Sequence, residues 1–90
     1  MTWKKMSDEL PTKDGQYLVV RHYNFYDSGK PMKHYYYSVV DWANCLKGHS
    51  YDFDDDDYEH SGFYAHHNEV GDYEITVDVD AWAEIDEYEQ

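Results

Sequence analysis

Apolar and polar residues alternate with a period of two between Asp72 and Asp86, and this is the clearest pattern in the chain. One register consists of Asp72, Glu74, Thr76, Asp78, Asp80, Trp82, Glu84 and Asp86. The other consists of Tyr73, Ile75, Val77, Val79, Ala81, Ala83 and Ile85. Because successive side chains of a strand point to opposite faces, the pattern predicts one long strand over residues 73–85 with an apolar inner face and an acidic outer face. A helical alternative stays open for its last part, where Ala81, Ile85 and Tyr88 would share one side.

Three further segments have the composition of strands. Residues 16–26 and 33–42 are rich in Tyr and Val and flank Asp27-Ser28-Gly29-Lys30-Pro31, so they predict an antiparallel hairpin with that loop. Residues 62–65 predict a short strand, and residues 43–50 form a connection or one short helix. The predicted fold class is mainly β, or small α+β. It is a single antiparallel sheet of three to five strands with room for one short helix, in one domain over residues 1–90.

The charge of the chain is divided unevenly between its two halves. Residues 1–50 contain all seven Lys and Arg and five acidic residues, whereas residues 51–90 contain fifteen acidic residues and no Lys or Arg. The net charge of the whole chain is −13. Such a surface repels nucleic acid and anionic membranes and attracts cations or basic protein surfaces. We therefore expect no direct nucleic-acid binding and no membrane binding. The aromatic content of 19% argues against disorder despite this charge.

The cysteine content and the N-terminus bear on cellular location. Cys45 is the only cysteine, which excludes an internal disulfide and favours a reducing compartment. The N-terminus lacks an apolar signal segment, and no run of residues approaches the ~20 apolar positions that span a bilayer. These features predict a soluble, cytoplasmic protein.

Each end of the chain contains its own set of short motifs. The first set is Trp3, Leu10-Pro11, Gly15 and Tyr17-Leu18-Val19-Val20, and the second is Gly62-Phe63-Tyr64, Gly71, Val79 and Trp82. In these positions the chain resembles a family of short phage and prophage proteins known only as a domain of unknown function. That family usually ends in a Pro-rich tail, whereas this chain ends in Glu84-Ile85-Asp86-Glu87-Tyr88-Glu89-Gln90. The resemblance implies a phage origin and a small β-rich fold, and it implies no catalytic residues.

The acidic outer face of the predicted strand is the main candidate for a functional surface. Alternate residues of a strand lie ~6.6 Å apart, and each strand of duplex DNA carries one phosphate per ~3.4 Å of helix axis. These carboxylates, extended by four consecutive Asp residues, would approach the charge density of a nucleic-acid backbone. The alternative is a solvated face that keeps the sheet soluble and its edge unpaired. The candidate partner-binding residues are Asp54, Asp55, Asp56, Asp57, Asp72, Glu74, Asp78 and Asp80.

Metal sites and catalysis have weaker support in the sequence. A calcium-binding helix-loop-helix needs Gly at its sixth and Glu at its twelfth loop position, and neither a start at Asp52 nor one at Asp57 supplies both. The available zinc ligands lack a paired Cys, and two of them are adjacent in sequence: Cys45, His49, His60, His66 and His67. No phosphate-binding loop or nucleophile elbow is present in the sequence. We therefore expect no catalytic residues, no cofactor and no metal.

An aromatic set is assigned to core and interface packing, because too few basic residues accompany it to hold phosphates. Its members are Tyr23, Phe25, Tyr35, Tyr36, Tyr37 and Trp42.

Composition and resemblance together favour a non-enzymatic phage-type interaction protein. Its acidic face would bind a basic nucleic-acid-binding protein, as a DNA mimic that inhibits a host defence nuclease of the CRISPR or restriction type. Two alternatives stay open: a structural or accessory phage protein that self-associates through aromatic residues, and a weak cation-binding module.

Overall fold

The structure, a computed structural model, describes residues 2–49, 53 and 55–85, and its main feature is one antiparallel sheet. Six strands are present in this part of the chain: β1 (Lys4–Lys5), β2 (Gly15–Asp27), β3 (Lys30–Ala43), β4 (Gly62–His67), β5 (Gly71–Glu74) and β6 (Val79–Glu84). Their order across the sheet is β1-β6-β2-β3-β4-β5. The predicted fold class is confirmed, with six strands in place of three to five.

Helical structure is limited to short segments among the described residues. A first 3-10 helix spans Asp56–Tyr58 and a second spans Thr76–Asp78. Residues 43–49, where a short helix was one prediction, contain the end of β3 and a turn. No helix in the described part of the chain is long and apolar enough to cross a membrane.

β2 and β3 form a long hairpin at the centre of the sheet. Asp27 pairs with Lys30 across a two-residue turn, in which Ser28 (φ 52°) and Gly29 (φ 81°) both have positive φ. Positive φ at both central residues is typical of the type I′ turn, whose twist matches that of the strands. The predicted antiparallel hairpin is confirmed. Its loop is shorter than the predicted five residues because both strands extend to the turn itself.

The core lies on one face of the sheet, which we call the inner face. Alternate residues of the two central strands point into it, and neighbouring strands complete a cluster of Tyr17, Val19, Val40, Trp42, Phe63, Ile75, Val79 and Trp82. Aromatic rings meet edge to face within it: the ring centroids of Trp42 and Phe63 are 4.7 Å apart, and those of Tyr17 and Trp82 are 5.3 Å apart. Such pairs add ~0.5–1.5 kcal/mol each beyond the burial of apolar area.

The segment that precedes β2 fixes Trp82 in this core. The indole N–H of Trp82 donates a hydrogen bond to the carbonyl oxygen of Glu9 (2.9 Å), and Met6 packs against the core cluster. Lys4 Nζ lies 4.8 Å from the centre of the Trp82 ring, which is a cation–π distance. Trp82 is therefore held both by β1 and by the chain that follows β1.

Residues 73–85 do not form one strand, so the predicted long strand is wrong. β5 ends at Glu74 on one edge of the sheet, and β6 begins at Val79 between β1 and β2. A continuous strand cannot leave one edge of a sheet and pair near the other, so the chain breaks at the second 3-10 helix. Thr76 holds the break, because its Oγ1 accepts a hydrogen bond from Phe63 N–H (3.0 Å) and donates one to Glu74 Oε2 (2.8 Å). The helical alternative is also wrong as far as Glu84, since β6 extends to that residue.

The two faces predicted for this stretch are mixed as a result. Three residues of the predicted apolar face are buried: Ile75, Val79 and Ala83. Three others are exposed: Tyr73, Val77 and Ile85. Trp82, predicted to point outward, is only 2% exposed. The pairing of β6 with β2 shifts register between Val20 and Arg21, and such a bulge reverses which residues face the core. Asp86 and Tyr88 lie outside the described residues.

Candidate acidic interaction surface

Three carboxylates approach Tyr64, which lies in β4. Asp41 is directly opposite Tyr64 in the register of β3 and β4, Asp72 belongs to β5, and Asp14 precedes β2. Burial raises the pKa of Tyr64, and the charges of Asp41, Asp72 and Asp14 raise it further. Loss of the phenolic proton would add one more negative charge to this group, so the neighbouring carboxylates oppose it. The fold therefore concentrates negative charge around Tyr64.

The same surroundings change the pKa of Asp41. Partial burial raises the pKa of its carboxyl, the charge of Asp72 raises it further, and His49 acts in the opposite direction. The net direction is upward, which means that the nearby imidazole does not offset burial and the like charge together. Titratable groups perturbed by burial and a specific charged neighbour are concentrated at functional sites.

Asn44 fixes the position of Asp14. Asn44 N–H donates a hydrogen bond to Asp14 Oδ1 (2.7 Å), and Asn44 Nδ2 donates one to the carbonyl oxygen of Thr12 (2.9 Å). The indole N–H of Trp42 donates to Asn44 Oδ1 (2.9 Å), which links this arrangement to the core. Asp14 is therefore held at the start of β2, beside the end of β3.

His49 lies between Asp14 and Tyr64. Its Nε2 is 3.3 Å from Asp14 Oδ2, and its Nδ1 is 3.4 Å from the hydroxyl oxygen of Tyr64. An Asp-His-Tyr series resembles the arrangement that activates a nucleophile. Here the raised pKa of Tyr64 opposes formation of the phenolate. The series holds Asp14 and Tyr64 on either side of the His49 ring.

The first 3-10 helix adds exposed carboxylates beside this group. Asp55 is its N-cap, and Asp55 Oδ1 accepts a hydrogen bond from Asp57 N–H (3.3 Å). Lys47 Nζ contacts Asp56 Oδ1 at 2.6 Å and Glu59 Oε1 at 2.9 Å. All four of these carboxylate side chains are on residues exposed to solvent. One Lys side chain therefore contacts two carboxylates of a strongly acidic turn.

A second hydrophobic cluster holds this acidic turn against β4. It consists of buried Ala43, Leu46 and Phe53 with half-buried Tyr58 and Tyr64 packed against them. Ala43 follows Trp42 in β3 and therefore points to the outer face, opposite the core. The ring of Phe53 meets Tyr58 (4.8 Å between centroids) and Tyr64 (5.7 Å) edge to face. The acidic turn is thereby fixed to the same strand as the carboxylates around Tyr64.

β5 contributes two of the predicted partner-binding residues, Asp72 and Glu74. Asp72 Oδ1 lies 2.8 Å from His66 Nδ1, and Glu74 Oε1 lies 2.7 Å from His60 Nε2. Glu74 Oε2 also accepts the hydrogen bond from Thr76. Glu74 therefore links the loop before β4 to the edge strand, in addition to carrying charge.

We call the carboxylates that these contacts bring together the acidic surface: Asp14, Asp41, Asp55, Asp56, Asp57, Glu59, Asp72 and Glu74. Five of the eight predicted partner-binding residues belong to it. Asp78 and Asp80 do not belong to it: Asp78 ends the second 3-10 helix, where the chain passes from β5 to β6, and Asp80 lies in β6, on the far side of β2 and β3. Asp80 Oδ2 instead contacts His22 Nδ1 at 2.8 Å. Asp54 lies outside the described residues.

Sequence reasoning missed Asp14, Asp41 and Glu59. In the sequence, Asp14 is recognisable only as part of an Asp-Gly turn, and Asp41 is recognisable only as one polar position in a Val-rich strand. Their importance comes from the pairing of β3 with β4, which no local pattern reveals. The run of Asp residues that precedes Glu59 was the one available signal.

The residues considered as zinc ligands do not converge in this structure. His49, His60 and His66 each contact a different carboxylate, and His67 Nδ1 accepts a hydrogen bond from Glu69 N–H (3.1 Å). Cys45 is exposed. Within the described residues, no three His, Cys, Asp or Glu side chains are grouped so as to hold a metal ion.

Comparison of the chain with protein-family models, curated protein sequences and solved structures gives no significant match. The resemblance to short phage proteins therefore stays a prediction. The geometry and charge of the acidic surface are what bear on function.

Proposed function

We propose that this protein is a non-enzymatic, phage-type interaction protein whose acidic surface binds a basic nucleic-acid-binding protein. The observation that carries the proposal is the approach of Asp14, Asp41 and Asp72 to Tyr64, together with the raised pKa of Asp41 and of Tyr64. A raised carboxyl pKa means that ionised Asp41 destabilises the folded protein at neutral pH. A cationic partner would offset this cost, so the surface gains more from association than ordinary solvated carboxylates do.

The spacing of these charges suits a partner that binds phosphate backbones. Neighbouring strands lie ~4.8 Å apart and alternate residues of one strand ~6.6 Å apart, while each DNA strand carries one phosphate per ~3.4 Å of axis. Asp41 on β3 and Asp72 on β5 are separated by one strand, which is ~9.6 Å across the sheet, and the long Lys and Arg side chains of a DNA-binding surface can bridge that separation. Such complementarity also accelerates association through electrostatic steering.

The resemblance to short phage proteins supports a more specific role, as an inhibitor of a host defence nuclease. A phage gains from blocking nucleases of the CRISPR or restriction type, and occupation of their DNA-binding surface is one physical route. That role requires a rigid display of negative charge and no catalytic residue. The hydrogen bonds of Asn44, His49 and His60 supply such rigidity on this surface.

The test is a pull-down of the tagged protein from a bacterial lysate at low salt, with elution by rising salt and identification by mass spectrometry. The wild-type protein should retain nucleases or other DNA-binding proteins, and salt should release them because it screens charge interactions. Single substitutions are uninformative here, since one exposed ion pair contributes only ~0–1 kcal/mol.

Two variants with the same change in net charge make the test specific. The site variant carries D55N, D56N, D57N and D72N. The control variant carries D8N, E9Q, D27N and D80N, which lie after β1, at the turn between β2 and β3, and in β6. The site variant should lose the partner and the control variant should keep it. Equal retention by both variants would contradict the proposal.

A further inference from the structure

Three of the six histidines in the chain contact carboxylates of the acidic surface. In each pair, a ring nitrogen lies close to a carboxylate oxygen that belongs to a different part of the fold. The pairs are His49 with Asp14 at 3.3 Å, His60 with Glu74 at 2.7 Å and His66 with Asp72 at 2.8 Å. The fold of the sheet therefore places an imidazole beside a carboxylate at three positions of this surface.

The three imidazoles are open to exchange of protons with water, because their side chains are 34%, 45% and 66% exposed. Histidine is the side chain whose ordinary pKa, about 6.5, places its change of charge between about pH 5 and pH 8. Ordinary carboxyl groups titrate near pH 4 and lysine near pH 10.4, so both keep their charge across that range. Protonation of these rings therefore adds positive charge to a surface whose other charges change little.

His49 faces groups from three elements. Its Nε2 faces Asp14, which precedes β2, and its Nδ1 lies 3.4 Å from the hydroxyl oxygen of Tyr64 on β4. It also acts on Asp41 of β3, where it opposes the two causes that raise the pKa of that carboxyl. These groups are negative or neutral. A proton on His49 therefore removes negative charge at the centre of the acidic surface.

His60 lies between the acidic turn and β5. Its Nε2 faces Glu74 of β5, and its ring packs near that of Tyr58, with 6.1 Å between the ring centroids. Glu59, the preceding residue, contacts Lys47 Nζ at 2.9 Å, so this lysine is the positive charge on the neighbouring residue. A proton on His60 adds a second positive charge beside the turn and forms an ion pair with Glu74.

His66 of β4 faces Asp72 of β5 through its Nδ1. Asp72 is also the carboxylate whose charge raises the pKa of Asp41. The next residue, His67, accepts a hydrogen bond at its Nδ1 from Glu69 N–H, and it points to the opposite face of the strand. A proton on His66 therefore pairs with Asp72 and reduces the repulsion that Asp72 exerts within the acidic surface.

We infer that His49, His60 and His66 make binding by the acidic surface depend on pH, and that their protonation releases a basic partner. Two effects act in the same direction. Three positive charges reduce the attraction of the surface for cations, and each protonated ring occupies a carboxylate oxygen that a Lys or Arg of the partner would otherwise contact. The inference rests on the proposed function, because it concerns the regulation of the same surface.

A fluorescent peptide of ten lysines serves as the basic probe, because lysine keeps its charge across the range. Its dissociation constant is measured by fluorescence anisotropy at low, constant ionic strength, at about pH 7.5 and about pH 5.5. One exposed charge contact changes affinity by up to about fivefold, so three protonated rings should weaken binding by roughly tenfold. Equal affinity of the wild-type protein and the site variant at the higher pH would contradict the proposed function, and the inference with it.

Two triple variants assign the effect of pH to these rings. The surface-histidine variant carries H49Q, H60Q and H66N, whose amides can still donate to the three carboxylates. The far-histidine variant carries H22N, H34Q and H67N, which lie beside Asp80, the ring of Tyr36 and Glu69 N–H. The far-histidine variant should lose affinity between the two pH values as the wild-type protein does, and the surface-histidine variant should lose at most about twofold. Asp41 is present in both, so its own titration affects them equally. Equal losses would overturn the inference and leave the proposed function standing.

A titration of the wild-type protein gives a second readout that needs no variant. The imidazole resonances are followed by NMR from about pH 8 to pH 5, with and without a saturating amount of the lysine peptide. Because linkage is reciprocal, a peptide that protonation releases must in turn oppose protonation. The curves of His49, His60 and His66 should therefore move to lower pH when the peptide is bound, and those of His22 and His34 should not. Curves that the peptide leaves unchanged would overturn the inference.

Discussion

Asp41 on β3 and Asp72 on β5 lie on the two strands that flank Tyr64, close enough for the charge of Asp72 to raise the pKa of Asp41. Two carboxylates held together in this way weaken the folded state when both are ionised. Their arrangement connects the fold of the sheet to the proposed interaction, because a basic partner would remove the repulsion that the fold maintains.

The pH dependence of stability should report this repulsion. Because the pKa of Asp41 is higher in the folded than in the unfolded state, the folded state binds more protons between the two values. The free energy of unfolding therefore falls as pH rises through that window, which begins near the ordinary Asp pKa of about 3.9. Asp41→Asn removes the titration, so it should raise Tm at pH 7 and leave Tm at about pH 3 nearly unchanged, as thermal melts followed by circular dichroism would show.

Asp57→Asn is the control for this prediction, because Asp57 is exposed and lies in the acidic turn. It should change Tm much less at pH 7. If Asp41→Asn shifts Tm equally at both pH values, ionisation of Asp41 does not limit stability.

Gly62 should tolerate no side chain. An added Cβ would lie 2.6 Å from Thr76 Oγ1 and 2.7 Å from Glu74 Oε2, and Thr76 is held in place by its hydrogen bonds to Phe63 and Glu74. Gly62→Ala should therefore reduce the free energy of unfolding by ~1–3 kcal/mol, as measured by urea denaturation. The double variant Gly62→Ala/Thr76→Ala should be more stable than the sum of the single effects predicts, because the clash is gone. Strict additivity would show that Thr76 does not occupy this space.

Trp82 should be a major contributor to stability. Its burial at 2% exposure and its hydrogen bond to Glu9 predict a loss of ~3–5 kcal/mol for Trp82→Ala, whereas Trp3→Ala should cost about 1 kcal/mol because Trp3 is 40% exposed. Trp82→Phe keeps most of the apolar area and should fall between them. Urea denaturation of the three variants provides the comparison. If Trp82→Ala lowers the free energy of unfolding by no more than Trp3→Ala does, the Trp82 side chain is not buried in the core and lies on the outer face, as the alternating pattern predicted.

Salt should stabilise the folded protein. The net charge of −13 makes the compact state repel itself, and raising ionic strength from 0.01 M to 0.1 M shortens the Debye length from ~30 Å to ~10 Å. Tm should rise over this range for the wild-type protein. The rise should be smaller for the site variant, which lacks four carboxylates of the acidic surface, than for the control variant. Equal rises would mean that the repulsion is not concentrated on this surface.

Local patterns in the sequence predicted the strands better than they predicted the surface. Two segments rich in Tyr and Val, with a Gly-containing turn between them, indicate a hairpin, and the structure contains it as β2 and β3. The break at Thr76 could not be inferred in this way, because the residues around it continue the alternation. It follows from the position of β5 and β6 near opposite edges of the sheet, and only the strand order reveals that.

The acidic surface shows the same limit. The run of Asp residues and the acidic positions of β5 could be nominated from composition, and they lie together. Asp78 and Asp80 shared their pattern but do not join this surface, since Asp78 lies in the segment that crosses from β5 to β6 and Asp80 lies in β6. Asp14 and Asp41 are distant in sequence from the acidic half and join it through Asn44 and through the pairing of β3 with β4.

The most direct measurement of the central claim is competition between this protein and duplex DNA for the partner that the pull-down retains. Labelled duplex DNA is bound to that partner, and the wild-type protein, the site variant and the control variant are titrated in separately. The wild-type protein and the control variant should displace the DNA at similar concentrations, and the site variant should not. Formation of a ternary complex that keeps the DNA bound would show that the acidic surface does not take the place of nucleic acid.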